Sequence, residues 1–173
     1  MFFNSFPPIE LGWFGINLPT EYGGLGLDFT TFAMIFEELS KGWMSVSGII
    51  GTHHILSHIV ATYGTEDQRT RILPKMATGE IRGGLALTEP EAGSDATNSK
   101  TTGVLSEDGK HYILNGQKIF ISNGAWADTF IVALKIDGKF SSIVVEKGTP
   151  GFDIRKEEKK MGIEAVSYTH LTL

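Results

Sequence analysis

Residues 100–146 read KTTGVLSEDGKHYILNGQKIFISNGAWADTFIVALKIDGKFSSIVVE, and three dipeptides inside this stretch decide the fold. Asp108-Gly109, Asn115-Gly116 and Asp137-Gly138 each separate runs of β-branched and apolar residues. A type I′ turn needs φ > 0 at both central positions, so Asp-Gly and Asn-Gly between such runs signal hairpins. Working outward from them, strands are predicted over 84–88, 100–105, 111–114, 117–122, 129–134, 141–146 and 152–156, as one antiparallel, barrel-like β unit.

Upstream of Gly79–Gly84 the apolar period changes from two to nearly four. Phe29, Phe32, Ala33, Phe36 and Leu39 trace one helical stripe behind Asp28, a suitable N-cap. A second helix is predicted over 43–62. A third opens at Thr65 and Gln68, the spacing of a capping box, and continues through Arg69, Ile72, Leu73 and Met76. Pro74 lacks an amide hydrogen, so this helix is predicted to end or kink near Leu73. Helices followed by strands, rather than alternating with them, give an α+β fold and exclude a doubly wound nucleotide fold. The expected division is a helical domain over 1–80 and a β-domain over 81–165.

Composition narrows the chemistry. The 173 residues are 41% hydrophobic and 20% charged, the balance of a globular protein. A formal charge of -5 argues against general attraction to nucleic acid or an anionic membrane. With no cysteine, thiolate catalysis, iron-sulfur clusters and disulfides are excluded. Residues 1–9 carry two prolines and no basic stretch, which does not fit a signal peptide.

Several motifs have simple structural readings. Gly23-Gly24-Leu25-Gly26 lacks the strand and the spacing of a dinucleotide fingerprint, and is read as a tight turn leading to Asp28. His54 and His58 stand four apart on a helix without a third ligand, and are read as packing or surface residues rather than a metal site. Adjacent Glu37 and Glu38 splay about 100° apart and read as a solvated edge.

Two segments carry more. In Leu85-Ala86-Leu87-Thr88-Glu89-Pro90-Glu91-Ala92-Gly93-Ser94-Asp95 a strand runs into a loop with glycine and hydroxyl groups, suited to close approach of a ligand. Its three carboxylates would repel a phosphate, so a neutral, flat portion is the expected ligand. In Leu114 to Gly124, simple alternation puts Phe120 and Ser122 on one face, an aromatic beside a hydroxyl. Such a pair suits a planar ring with hydrogen-bonding atoms.

In this order and separation the two segments resemble the flavin-binding portion of the acyl-CoA dehydrogenase family. The resemblance extends to Leu11–Ile16 with Glu21–Gly26, to Glu37–Ser40, to Tyr63–Gln68 and to Pro150–Phe152. It implies FAD as cofactor, contacted by Leu85, Leu87, Thr88, Gly93 and Ser94 from the loop and by Phe120, Ile121 and Ser122 from the strand. The family often has Trp at the position of Phe120 and Thr at that of Ser122, so both roles are kept. Ser94 would also contact an acyl-CoA substrate. The implied reaction is α,β-dehydrogenation, with electrons passing to an electron-transfer flavoprotein. A homotetrameric parent in the cytoplasm or mitochondrial matrix is expected.

None of the glutamates matches the family's base motif, which lies by a C-terminal helical bundle, so the catalytic residue is expected outside this chain and the fragment is expected to be inactive. Val166 to Leu173 resembles the translation of a sequencing adapter and is left out of the expected fold. Alternatives are an acyl-CoA oxidase or another flavoprotein of the same fold, or a non-catalytic binding or assembly module.

Overall fold

The structure is a computed structural model that describes residues 11–155, 157–162 and 168–173. It forms two compact units, the first ending at Gly83 and the second starting at Gly84. The expected residues 1–9 lie outside the described residues.

The first unit is helical. Helix α1 spans Phe29–Tyr63 and contains a break at Trp43, whose φ of -159° and ψ of 98° are extended rather than helical. The break separates the two helices expected over 29–39 and 43–62. Asp28 caps the first turn by accepting from the Thr31 N–H at 2.8 Å. Helix α2, Glu66–Ala77, starts in the expected capping box, with Gln68 N–H donating to Thr65 Oγ1 and Thr65 N–H donating to Gln68 Oε1. The helix does not stop at Leu73. It continues past Pro74 because Leu73, Met76 and Ala77 are buried, and that packing outweighs the backbone hydrogen bond the proline removes.

The Gly23–Gly26 turn runs back along the preceding chain. Leu25 N–H donates to Gly15 O at 2.8 Å, Gly26 N–H to Leu18 O at 2.9 Å and Leu27 N–H to Ile16 O at 2.9 Å. A Cβ on Gly24 would stand 2.2 Å from Leu18 O, so this glycine is fixed by close approach of backbone and not by a ligand.

Strand β1 (Gly83–Ala86) begins on the last residue of the first unit and continues into the second, which holds β2 (Thr102–Leu105), β3 (Tyr112–Asn115), β4 (Gln117–Ser122), β5 (Thr129–Ile136), β6 (Lys139–Glu146), β7 (Asp153–Ile154) and β8 (Tyr168–Thr172). One sheet follows the order β1-β5-β2-β3 with β6 on β5, and a second follows β4-β8-β7. Asp137 and Gly138 have φ of 49° and 74°, the expected tight turn between β5 and β6. Phe130, Val132, Leu134, Val145, Phe152 and Leu171 share one core.

Three expectations fail here. Among the described residues the β unit is two sheets rather than one, and it is not wholly antiparallel, because β2 meets β5 in parallel at Thr102 and Lys135. Asn115-Gly116 is not a hairpin turn: β3 pairs with β2, β4 pairs with β8, and the chain crosses between sheets at Gly116. The glycine serves packing, since a Cβ there would lie 2.3 Å from Thr101 Oγ1. Finally, the segment left out of the expected fold supplies β8, with Thr169 and Leu171 fully buried. Its alternating pattern satisfies strand period, and it pairs with β4 on one side and β7 on the other. Val166, Ser167 and Lys156, the end of the predicted 152–156 strand, lie outside the described residues.

Gly24→Ala is expected to destabilise the helical unit by about 1–3 kcal/mol, the usual cost of overpacking. Gly42→Ala, where a Cβ meets nothing within 4 Å, is expected to leave stability unchanged or slightly raised. Urea titrations of the two variants followed by circular dichroism check this; equal midpoints would contradict the packing role of Gly24.

Candidate functional site

Strand β1 delivers the chain into a loop whose first carbonyls turn toward β4. Ile119 N–H donates to Thr88 O at 2.8 Å, and Lys118 Nζ donates to Leu87 O at 3.1 Å. Glu89 and Ala92 exchange backbone hydrogen bonds of 2.9 and 3.3 Å around Pro90-Glu91, closing a small turn. The structure thus brings together the two segments singled out in the sequence.

The join is a buried ion pair. Lys118 Nζ lies 2.7 Å from Glu89 Oε1, with side-chain exposures of 0% and 4%. Glu89 Oε1 also accepts from Ser99 Oγ, from Thr101 Oγ1 and, at 3.1 Å, from Thr101 N–H, while Oε2 accepts from Lys100 N–H at 2.6 Å. Burial pushes the Glu89 carboxyl upward, but hydrogen bonds from Lys118, Ser99, Thr101 and Lys100 prevail and hold it at about 2. Burial also pulls the Lys118 ammonium below the usual lysine range, against the opposing pull of Glu89.

Neither Glu89 nor Lys118 was singled out from sequence. Glu89 was counted among three carboxylates presented to a ligand, yet it faces inward, so Glu91 and Asp95 alone of the three are exposed. The available signal was a lysine inside a strand beside apolar neighbours, which needs a partner if it is buried.

The predicted site residues fall into distinct environments. Leu85, Leu87, Thr88 and Ser122 are half-buried, whereas Gly93 and Ser94 are exposed beyond the Glu89–Ala92 turn. Strand β4 carries a bulge between Lys118 and Ile121, and Phe120 within it has φ of 55°. Simple alternation therefore fails here: Lys118 and Ile121, three apart, are both buried. Phe120 is left 58% exposed, its ring meeting His170 edge-on at 5.8 Å. Ile121 is 2% exposed, so its side chain belongs to the core and only its backbone remains for a ligand. Asn123, one residue beyond the strand, also has a left-handed φ of 62°. Non-glycine residues in this region are strained and concentrate at ligand sites. A cavity of about 380 Å³ beside the ion pair is lined by Glu89, Glu91, Lys100, Thr101, Asn115 and Gln117, among others, and by none of the predicted site residues.

In the helical unit, His54 Nε2 lies 2.8 Å from Trp13 O, and His58 packs edge-on against Phe29. Among the described residues no three His, Asp or Glu side chains form a metal-binding group. His53, beside His54, accepts from Gly83 N–H through Nδ1 at 3.2 Å. His53 Nε2 and His54 Nδ1 are buried without hydrogen-bond partners. Burial, reinforced by His54, lowers His53 to about 3, and burial lowers His54 to about 4. Lys41 lies 3.2 Å from Glu37 and 2.7 Å from Glu38, all exposed, which keeps that pair a solvated edge.

These shifts set two acid windows. Both histidines are neutral when folded but gain protons below about 6.5 when unfolded, so their contribution is complete above that pH and declines as pH falls toward 4 and 3. Glu89 is ionised when folded, so its contribution is complete above about 4.5 and is lost as pH falls toward 2. Hydrogen exchange across residues 44–63 is therefore expected to accelerate between pH 6.5 and 4.5, after correction for intrinsic rates, while the amides of Lys100 and Thr101 hold until lower pH. Simultaneous loss in both regions would contradict the assignment.

Comparison with known proteins places both units in one family. The family model for the N-terminal domain of acyl-CoA dehydrogenase matches residues 9–80, and that for the middle domain matches residues 84–173. A probable acyl-CoA dehydrogenase of Bacillus subtilis is 47% identical over 95% of this chain and 28% of its own length. A short-chain specific acyl-CoA dehydrogenase of Clostridium acetobutylicum is 40% identical over 94% of this chain and 44% of its own. The crystal structure of an acyl-CoA dehydrogenase complexed with FAD from Bacillus anthracis superposes with a TM-score of 0.89 at 45% identity, covering 96% of this chain and 29% of that one. The chain spans less than half the length of these relatives. Its two units, matched in sequence and in order, make it a member of the acyl-CoA dehydrogenase family.

Proposed function

We propose that this chain is the N-terminal and middle portion of a flavin-dependent acyl-CoA dehydrogenase, and that the loop over 85–95 and strand β4 hold the isoalloxazine ring of FAD. The observation that supports this is the join between the two segments through Thr88, Glu89, Lys118 and Ile119. Through the Thr88 carbonyl it ties the loop to a strand whose exposed Phe120 is available to cover an aromatic face. The residues fit the group: a flat ring with several acceptor atoms needs donors on its edge and an apolar surface on its face. The strained backbone at Phe120 and Asn123 supports a ligand role for this strand.

Thr88 and Ser122 would hold FAD by donating hydroxyl hydrogens, and the backbone of Leu85, Leu87, Ile121 and Gly93 would line its approach. Ser94, exposed at the far side of the turn, meets an acyl-CoA thioester. FAD, when bound, supplies the hydride-accepting chemistry. The α-proton next to a thioester is only weakly acidic, so its removal requires a positioned carboxylate. That base is assigned to a segment of the longer protein, as the family resemblance implies; within this chain Glu89 is locked to Lys118, and Glu37 and Glu38 are paired with Lys41. Electrons then pass to an electron-transfer flavoprotein. Among the described residues no helix is long and apolar enough to cross a membrane; the compartment proposed is the cytoplasm, with the mitochondrial matrix for organellar relatives.

Flavin fluorescence quenching on titration of FAD tests the site. Ser122→Ala is expected to weaken binding about 3- to 10-fold, the loss of one hydrogen bond. Ser141→Ala, in a side chain that donates to Lys139 O on β6, is expected to leave affinity unchanged. Equal affinities in the two variants would overturn the assigned site.

A further inference from the structure

We infer that Lys118 and Glu89 are positioning residues that fix the polarity of the flavin loop where it meets β4, keeping the Leu87 carbonyl turned inward beside those of Thr88 and Glu89 so that none of the three presents an acceptor to the acceptor atoms of the ring edge. This rests on the proposed flavin reading. Three successive carbonyls of the loop are occupied from inside the fold: Leu87 O by Lys118 Nζ, Thr88 O by Ile119 N–H and Glu89 O by Ala92 N–H. The hydroxyls of Thr88 and Ser94, half-buried and exposed respectively, are then the neutral side-chain groups of the loop that can donate to a ligand. An apolar strand residue at position 118 could fill the same space, but it would have no hydrogen to give Leu87 O.

The same ammonium is held by Glu89 at 2.7 Å, which compensates its charge where it reaches this carbonyl. Glu89 in turn is held by Ser99, Lys100 and Thr101. The chain of contacts therefore runs from the 99–101 backbone through a carboxylate and an ammonium to the loop that meets the ring. A freed Leu87 carbonyl could rotate toward the ligand and place an acceptor against an acceptor. The inference therefore assigns to Lys118 a role in discriminating ring edges, beyond holding the fold together.

The test separates stability from polarity. Removing both charges of a buried pair together is often neutral for folding, whereas removing one is not. In Glu89→Gln/Lys118→Met the thermal midpoint is expected to stay close to that of the unmodified chain. Its FAD affinity is expected to fall about 10-fold, the size of one lost hydrogen bond with a misplaced acceptor. Preference for FAD over 1-deaza-FAD, in which one ring acceptor is replaced by C–H, is expected to be about 10-fold in the unmodified chain and to collapse toward parity in the double variant. A role confined to stability would leave that ratio intact, and an unchanged ratio overturns the inference. Single Lys118→Met and Thr101→Val variants add a readout that needs no flavin: hydrogen exchange at the Thr101 and Ile119 amides is expected to accelerate at least 10-fold relative to the amides of β5. Unaltered exchange overturns the positioning role. Failure of the unmodified chain to bind FAD would overturn the flavin reading, and the exchange measurement would then decide the positioning role by itself.

Discussion

A carboxylate and an ammonium enclosed together at 2.7 Å set the terms for the β unit. An isolated charge out of water is so costly that Glu89 and Lys118 must find each other before either can be buried. Their meeting fixes the end of the β1 loop against β4, residues that are far apart along the chain. Around it, the amides of Lys100 and Thr101 point at the same carboxylate, and Gly116 lets the chain pass so close to Thr101 that no side chain fits between them. The crossing from one sheet to the other therefore happens at the point where the polar cluster sits. The ion pair adds little net stability over an apolar pair of equal volume. What it provides is a unique register for the loop.

Local pattern made the helices and most strands legible. The Asp28 cap and the Thr65–Gln68 box act within one turn, so sequence spacing suffices to find them. Pro74 misled because its local penalty is smaller than the burial of Leu73, Met76 and Ala77, a tertiary quantity. Asn115-Gly116 misled for a related reason. The same dipeptide serves a tight turn or a close backbone approach, and only the position of Thr101 distinguishes them. Residues 168–172 were set aside, yet Thr169 and Leu171 alternate inward on the open edge of β4, and any segment of that period can complete such a sheet.

The candidate site was legible as two segments and illegible as a mechanism of assembly. Phe120 and Ser122 could be recognised as an aromatic and a hydroxyl in one strand. The bulge that separates Lys118 from Ile121 could not, since no glycine marks it and Phe120 itself carries the positive φ. Glu89 and Lys118 read as ordinary charged residues until the fold encloses both. Long-range pairing leaves no periodic trace in the chain, which is why the groups proposed to face the ring were nameable and the buried pair behind them was not.

The two units bury polar side chains by opposite means, and the contrast bears on where a cofactor belongs. In the helical unit His53 and His54 are kept neutral, and their unpaired ring nitrogens make that core a place that resists added charge. In the β unit a full positive charge is held in place and one of its hydrogens is spent on a loop carbonyl. A preorganised array of donors acts on a bound ring without reorganising when the ring's charge changes, which is the condition for electrostatic stabilisation by a protein. Hydroxyls on a freely moving loop would have to be reoriented on binding, at an entropic cost that lowers affinity. By holding the Leu87 carbonyl before any ligand arrives, the Lys118–Glu89 pair moves that cost into folding, and under the proposed reading the exposed Phe120 and half-buried Ser122 would meet the ring on a frame already set.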